Sequence, residues 1–251
     1  MLVALLVLAS LPLLWFVYAQ PGGPRSVGGE TVRRAVRPAT AAGPGLPAYG
    51  GGLASGGRCD DLKVLVDRTH ALPREYVPDD LVSLPGLGVP TLGGDTSLRR
   101  GAAESLARLV SAAAAAGEEL VVISAYRSYE DQDFSYARLV SIYGSDVGRT
   151  SAPPGHSQHQ LGTAVDFTNG VVGYEVHRHF GLTTASQWLQ ANAHEYGFVL
   201  AYPRGEETET GYRWEPWHYR YVGADNARHI EQRETDLHGF LEQEGVTGCR
   251  E

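Results

Sequence analysis

Two short stretches concentrate the side chains able to do chemistry. SAPPGHSQHQLGTAVDF, residues 151–167, holds His156, His159 and Asp166 among glycine and proline turn residues, and GYRWEPWHYRYVG, residues 211–223, holds Glu215 and His218. Two imidazoles and a carboxylate can fill three of the four positions of a tetrahedral zinc ion and leave the fourth to water. A further carboxylate beside that water would serve as general base. On chemistry alone His159, Asp166, His218 and Glu215 fill these four roles, but His156 is a rival to His159. Charge and spacing do not separate the two.

The elements needed to position these groups are modest. His159 and Asp166 lie on either side of Gly162, so a turn there followed by the strand TAVDF would carry both to one point. Asp166 should share a strand face with Ala164. Glu215 and His218 flank Pro216, and a turn at that proline would bring both to the same place.

Around them the chain reads as α+β, because helices and short strands interleave without strict βαβ alternation. The expected architecture is a small, mostly antiparallel sheet flanked by helices. Leu62, Val64 and Val66 alternate as in a short strand, and four prolines make 73–95 loop. A helix is expected over 97–116, capped by Asp95, Thr96 or Ser97. Ser128 should cap a second over 130–143, and Gly197 should stop a third over 184–196. A last helix is expected over 223–243. Strands are expected at 120–123, 198–201 and 217–221. Aromatic residues in short strands are more often core than site, so Tyr126, Trp214 and Trp217 are not counted among the site residues.

Composition narrows the class. The chain has 251 residues and a formal net charge of −8, with no lysine- or arginine-rich run, so nucleic acid is not an expected partner. Residues 1–20 carry no charged side chain and read as a signal peptide or membrane anchor. Residues 21–57 are a Gly/Pro/Ala-rich linker that cannot bury enough apolar surface to order, and the folded domain is 58–251. Either reading of the N-terminus places that domain outside the cytoplasm, secreted, periplasmic or anchored. The two cysteines, Cys59 and Cys249, lack the spacing of a zinc site. In an oxidising compartment they are expected to pair, stabilising by roughly 5 kcal/mol at most.

Four ordered segments carry a family resemblance. LVDRTHALPREYVPDDL, SAYRSYEDQ, PGHSQHQLGTAVDF and GYRWEPWHYRYVG resemble, in that order, the opening segment, the S-G/A-Y-R-S-x-x-x-Q block, the S-x-H-x-x-G-x-A-x-D zinc block and the E-x-W-H-x-R-Y-V-G block of the VanY-type D-alanyl-D-alanine carboxypeptidases of peptidase family M15. The resemblance implies zinc held by His159, Asp166 and His218, with Glu215 as base and His156 at a variable position. It also implies a substrate pocket containing Arg127, Ser157 and Gln132. Arg127 would stabilise the oxyanion or clamp the substrate's carboxylate. Gln158 stands where many relatives carry Glu and is not expected to bind metal.

The implied function is zinc-dependent D,D-carboxypeptidase action on peptidoglycan stem peptides, by a monomer. Two alternatives share the site: L,D-carboxypeptidase or endopeptidase action on the same substrates, and a zinc-containing cell-wall-binding domain without turnover. The presence of Glu215 argues against the last.

Overall fold

The computed structural model describes residues 58–93 and 96–247. The hydrophobic segment, the linker and Cys249 lie outside the described residues.

A helix laid on an antiparallel sheet forms the centre. In α1, Arg100–Ala115, the side chains of Ala102, Leu106, Leu109 and Ala113 recur at helical spacing and are buried. They face the sheet β4 (Val121–Ser124), β5 (Ala164–Thr168), β7 (His218–Tyr221) and β6 (Phe198–Leu200), in that spatial order, each pair antiparallel. Val122, Val165, Phe167, Phe198 and Tyr219 complete this core with Leu189 of α3, Thr184–Asn192. Leu106 and Leu109 are wholly buried, each contributing about 1.5–3 kcal/mol over an exposed side chain. The fold is α+β with small, mainly antiparallel sheets, as expected.

The expected helix start at 97 is corrected. Ser97–Arg99 form β3, paired antiparallel with β2, Leu81–Ser83, inside the stretch expected to be loop. The helix therefore begins at Arg100, and extended Arg99 stands at its N-cap without a side-chain cap. Neither Thr96 nor Ser97 caps it; Asp95 lies outside the described residues. Arg99 instead donates to Asp80 and to the Asp60 carbonyl, both at 2.8 Å. Pairing with a strand distant in sequence outweighs the local capping preference.

Ser128 does cap α2, Tyr129–Tyr143, accepting from the Asp131 amide, and Gly144 ends it with φ 73°. After the short α4, Glu207–Thr210, the helix expected over 223–243 is two: α5, Ala224–Gln232, and α6, Leu237–Glu244. Glu234 takes a left-handed conformation, φ 51°, and Asp236 caps α6 by accepting from the Gly239 amide at 2.9 Å. The break lets Ile230 from one helix and Leu237, Phe240 and Leu241 from the other fill one apolar cluster.

The alternation expected around Val64 gives way to a strand buried on both sides. Leu65 of β1, Val64–Leu65, belongs to that cluster, while Val64 and Val66 pack with Leu72 and Leu161. β1 pairs in parallel with β8, Val246–Thr247, and Cys59 just upstream is disulfide-bonded. Arg220 of β7 is fully buried, and its guanidinium donates to the carbonyls of Leu62 and Val64, at 3.0 and 2.6 Å, so the central sheet is tied to β1. Burial lowers its pKa to about 10, so it keeps its charge at neutral pH.

Candidate active site

β5 is flanked by β4 and β7, and this order assembles the site. The register sets Asp166 directly opposite His218 on β7, and opposite Ser124 on β4. The β4–β5 register shifts between Val122 and Ser124, an irregularity of the kind that re-aims side chains beside active sites. His159 comes from the tight turn Gln158–Leu161, which Ser157 opens by accepting from the His159 amide at 3.4 Å and Gly162 closes with φ 66°. A Cβ at Gly162 would also lie 3.0 Å from Arg99 and Leu81 side-chain carbons. The glycine is therefore required both by conformation and by close approach.

Hydrogen bonds fix which nitrogen of each imidazole faces inward. His159 Nδ1 lies 2.6 Å from the Ala125 carbonyl, which only accepts, so Nδ1 carries the proton. That leaves Nε2, 3.2 Å from Asp166 Oδ2, as a lone pair. His218 Nε2 lies 3.2 Å from Gln158 Oε1, and this partner leaves its Nδ1 facing Asp166 Oδ1 at 2.8 Å. Two imidazole lone pairs and a carboxylate thus converge, with one ligand atom from each residue within 4.8 Å of the others. Three acceptors so close repel unless a cation or proton lies among them, and the set of two nitrogens and one oxygen suits zinc. His159, Asp166 and His218 are all buried. Burial opposes protonation of His159, in keeping with an imidazole that offers its Nε2 lone pair. Tyr202 stacks on His218 with ring centroids 5.0 Å apart and holds its plane.

Glu215 stands outside this trio but faces the same cavity, of about 230 Å³, together with Arg127, Ser157 and Gln132. The turn at Pro216 forms as expected, with the His218 amide donating to the Glu215 carbonyl at 3.1 Å. Burial pushes the Glu215 carboxyl well above its ordinary pKa, and the Asp166 charge adds to this; Arg127 and Arg178 oppose it. Arg127 has a buried Nε with no hydrogen-bond partner among the described residues. Gln132 donates to the Ala152 carbonyl at 2.6 Å, and its buried Oε1 has no such partner.

His156 is elsewhere. Its Nδ1 lies 2.7 Å from the Asp67 carbonyl, and it does not line the cavity. Gln158 and Trp217, left out of the expected site, and Tyr202, not considered for it, all line the cavity. The position of Gln158, one residue before a ligand candidate, was the available signal; Tyr202 carried none.

The family model described as "VanY: D-alanyl-D-alanine carboxypeptidase" matches residues 95–224. The chain is 36% identical over 187 residues to YodJ of Bacillus subtilis (strain 168), covering 73% of this chain and 68% of that one. The solved structure of the LdcB LD-carboxypeptidase is similar with a TM-score of 0.68 and 34% identity, covering 76% of this chain and 89% of that one. VanYB in complex with D-alanine-D-alanine is similar with a TM-score of 0.60 and 29% identity, covering 72% and 98%. These likenesses define a peptidase of the M15 group. The chain belongs to the VanY family of D-alanyl-D-alanine carboxypeptidases.

Proposed function

We propose that the protein is an exported, zinc-dependent D,D-carboxypeptidase that removes the C-terminal D-alanine of peptidoglycan stem peptides. The observation that carries the reading is Glu215: a carboxylate outside the ligand trio, facing the cavity that the trio lines. A purely structural zinc site would be closed by a fourth protein ligand and would need no such group. A similar solved structure, a VanY variant in complex with Zn(II), supports the choice of metal.

Zinc held by His159, Asp166 and His218 would supply a Lewis acid that polarises the scissile carbonyl and acidifies water. Glu215 takes the proton from the attacking water and returns it to the leaving amine. Burial raises its pKa above the ordinary carboxylate value, which favours the return of the proton to the amine. Arg127 brings a fixed positive charge to the cavity, where it stabilises the oxyanion or pairs with the substrate's terminal carboxylate. Ser157 and Gln132 lie on the wall where they would hold the substrate's amide groups. The cavity is small beside common ligand clefts of about 300–1,000 Å³.

Export is supported by the disulfide at Cys59, a bond of oxidising compartments, and by the uncharged residues 1–20. The domain from 58 onward would then face the cell wall, released or anchored, and act as a monomer.

A second reading, L,D-carboxypeptidase action on tetrapeptide stems, is favoured by one observation. LdcB, described as an LD-carboxypeptidase, is more similar to this chain than VanYB is, by both identity and TM-score. Mass spectrometry of stem peptides ending in D-Ala-D-Ala and in a single D-Ala, each with and without a chelator, separates the two. Chelator-sensitive loss of one alanine from the pentapeptide is expected. Cleavage of the tetrapeptide alone establishes the second reading, and no cleavage of either refutes both.

A further inference from the structure

A second concavity, of about 660 Å³, is lined by Arg149, Arg178, Arg204 and Arg213 together with His179, Trp214 and Glu207. Four arginines around one groove stand out in a chain of net charge −8. Among the described residues only Arg213 of the four is ion-paired, to Asp146 at 2.9 Å. Arg204 lies over the Trp214 ring, 4.1 Å from its centroid, which holds the guanidinium in place without neutralising it. Arg149, Arg178 and Arg204 are exposed, and Glu207 is the one acidic residue on the wall.

The groove is built from the segments that build the catalytic cavity. Arg149 precedes Thr150, Arg178 follows Val176, Arg204 follows Tyr202 and Arg213 follows Tyr212, and the second residue of each pair named here lines the catalytic cavity. The Arg213 amide donates to the Arg149 carbonyl at 3.0 Å, joining two of these segments. The turn Arg178–Leu182 lies flat on Trp214 and Pro216 because Gly181 has no side chain: a Cβ there would run into the Trp214 ring and come within 2.9 Å of Pro216. Arg178 is thereby held near enough for its charge to act on Glu215.

The geometry points to this groove as a subsite for the carboxylates of the stem peptide upstream of the scissile bond. The inference rests on the proposed function and deepens it. Guanidinium forks match carboxylates in bidentate geometry. A groove whose wall is built from the same chain segments as the catalytic cavity is placed to receive the part of the substrate that is covalently joined to the scissile residue. Arg127 serves the cavity itself, so the outer arginines have the rest of the stem to bind.

The test uses two synthetic stem pentapeptides that differ only in whether an upstream residue carries a free α-carboxylate or its amide. For wild type, kcat/KM should favour the acidic peptide by about ten-fold, the worth of two exposed charge pairs. In Arg149→Gln/Arg178→Gln the preference should fall to near one. Because the readout is a ratio, any effect of Arg178 on Glu215 cancels. The same preference should appear as a ratio of dissociation constants in calorimetric titration of Glu215→Gln protein, and weaken as salt rises. Absence of hydrolysis with a retained preference in the titration would refute the proposed function but leave the anionic subsite standing. Equal treatment of the two peptides by wild type, or an unchanged preference in the double variant, overturns the subsite. So does a groove that ignores both peptides and binds a poly(glycerol phosphate) chain.

Discussion

Gln158 sets which nitrogen of His218 faces the metal position, and its replacement should be felt in zinc affinity. Gln158 Oε1 is 3.2 Å from His218 Nε2, both buried, and this contact keeps Nδ1 directed at Asp166. The distance is at the long end of the N–H···O range, so the bond contributes about 1 kcal/mol, a factor of roughly five in a binding constant. Partners that orient ligating histidines commonly matter by about 10–100-fold. With Tyr202 still stacked on the ring, a value near the lower end follows. Gln158→Leu should therefore raise the zinc dissociation constant about 5- to 10-fold, read by competition with a chromogenic chelator. Gln158→Glu supplies a stronger acceptor at the same place and should bind zinc at least as tightly as wild type. Wild-type affinity in Gln158→Leu, or weaker binding in Gln158→Glu than in Gln158→Leu, would refute the assigned role.

Three further outcomes follow from the same contacts. His218→Ala leaves two protein ligands, so zinc content by elemental analysis and turnover should be lost together; full zinc occupancy would remove His218 from the ligand set. The pair Asp67–His238, 3.2 Å apart, joins α6 to the segment after β1. Its hydrogen bond to Asp67 raises the His238 pKa above 6.5, so its contribution to stability is complete below 6.5 and fades as pH rises through the raised value. Asp67 is lowered: burial alone would raise it, but bonds from His238, Thr69 and His70 prevail, so its contribution fades as pH falls below 3.8. The loss of Tm in His238→Gln should therefore be greatest between pH 3.8 and 6.5 and shrink at higher pH; a pH-independent difference would contradict this. Gly181→Ala pushes a methyl into Trp214 and should cost about 1–3 kcal/mol in chemical denaturation, with an unchanged midpoint counting against that packing.

What the sequence made legible was local. Ser128 and Gly144 bound α2 because a cap and a left-handed stop act within a few residues. Gly162 and Pro216 announced the turns that present His159 and Glu215. What escaped was set by partners distant in sequence. Residues 97–99 are strand because Leu81–Ser83 lie beside them. The break between α5 and α6 depends on one left-handed Glu and on a cluster shared with β1. His156 and His159 sit three apart in one loop, and residue chemistry did not separate them. The Asp67 carbonyl and the Ala125 carbonyl do, by holding the two rings on different partners. The family resemblance had already implied the same choice. The basic groove was invisible as a run of charge, since its four arginines come from four separate segments.

In the proposed arrangement zinc is held by His159, Asp166 and His218 while Glu215 moves the proton. Zinc content and turnover of a D-Ala-D-Ala-terminated stem peptide, measured on one preparation of Glu215→Gln, test it most directly. The variant should hold one zinc per chain, as in wild type, with turnover down by roughly 10²–10⁴-fold. Near-normal hydrolysis would show that another residue is the base, and loss of zinc would show that Glu215 is itself a ligand.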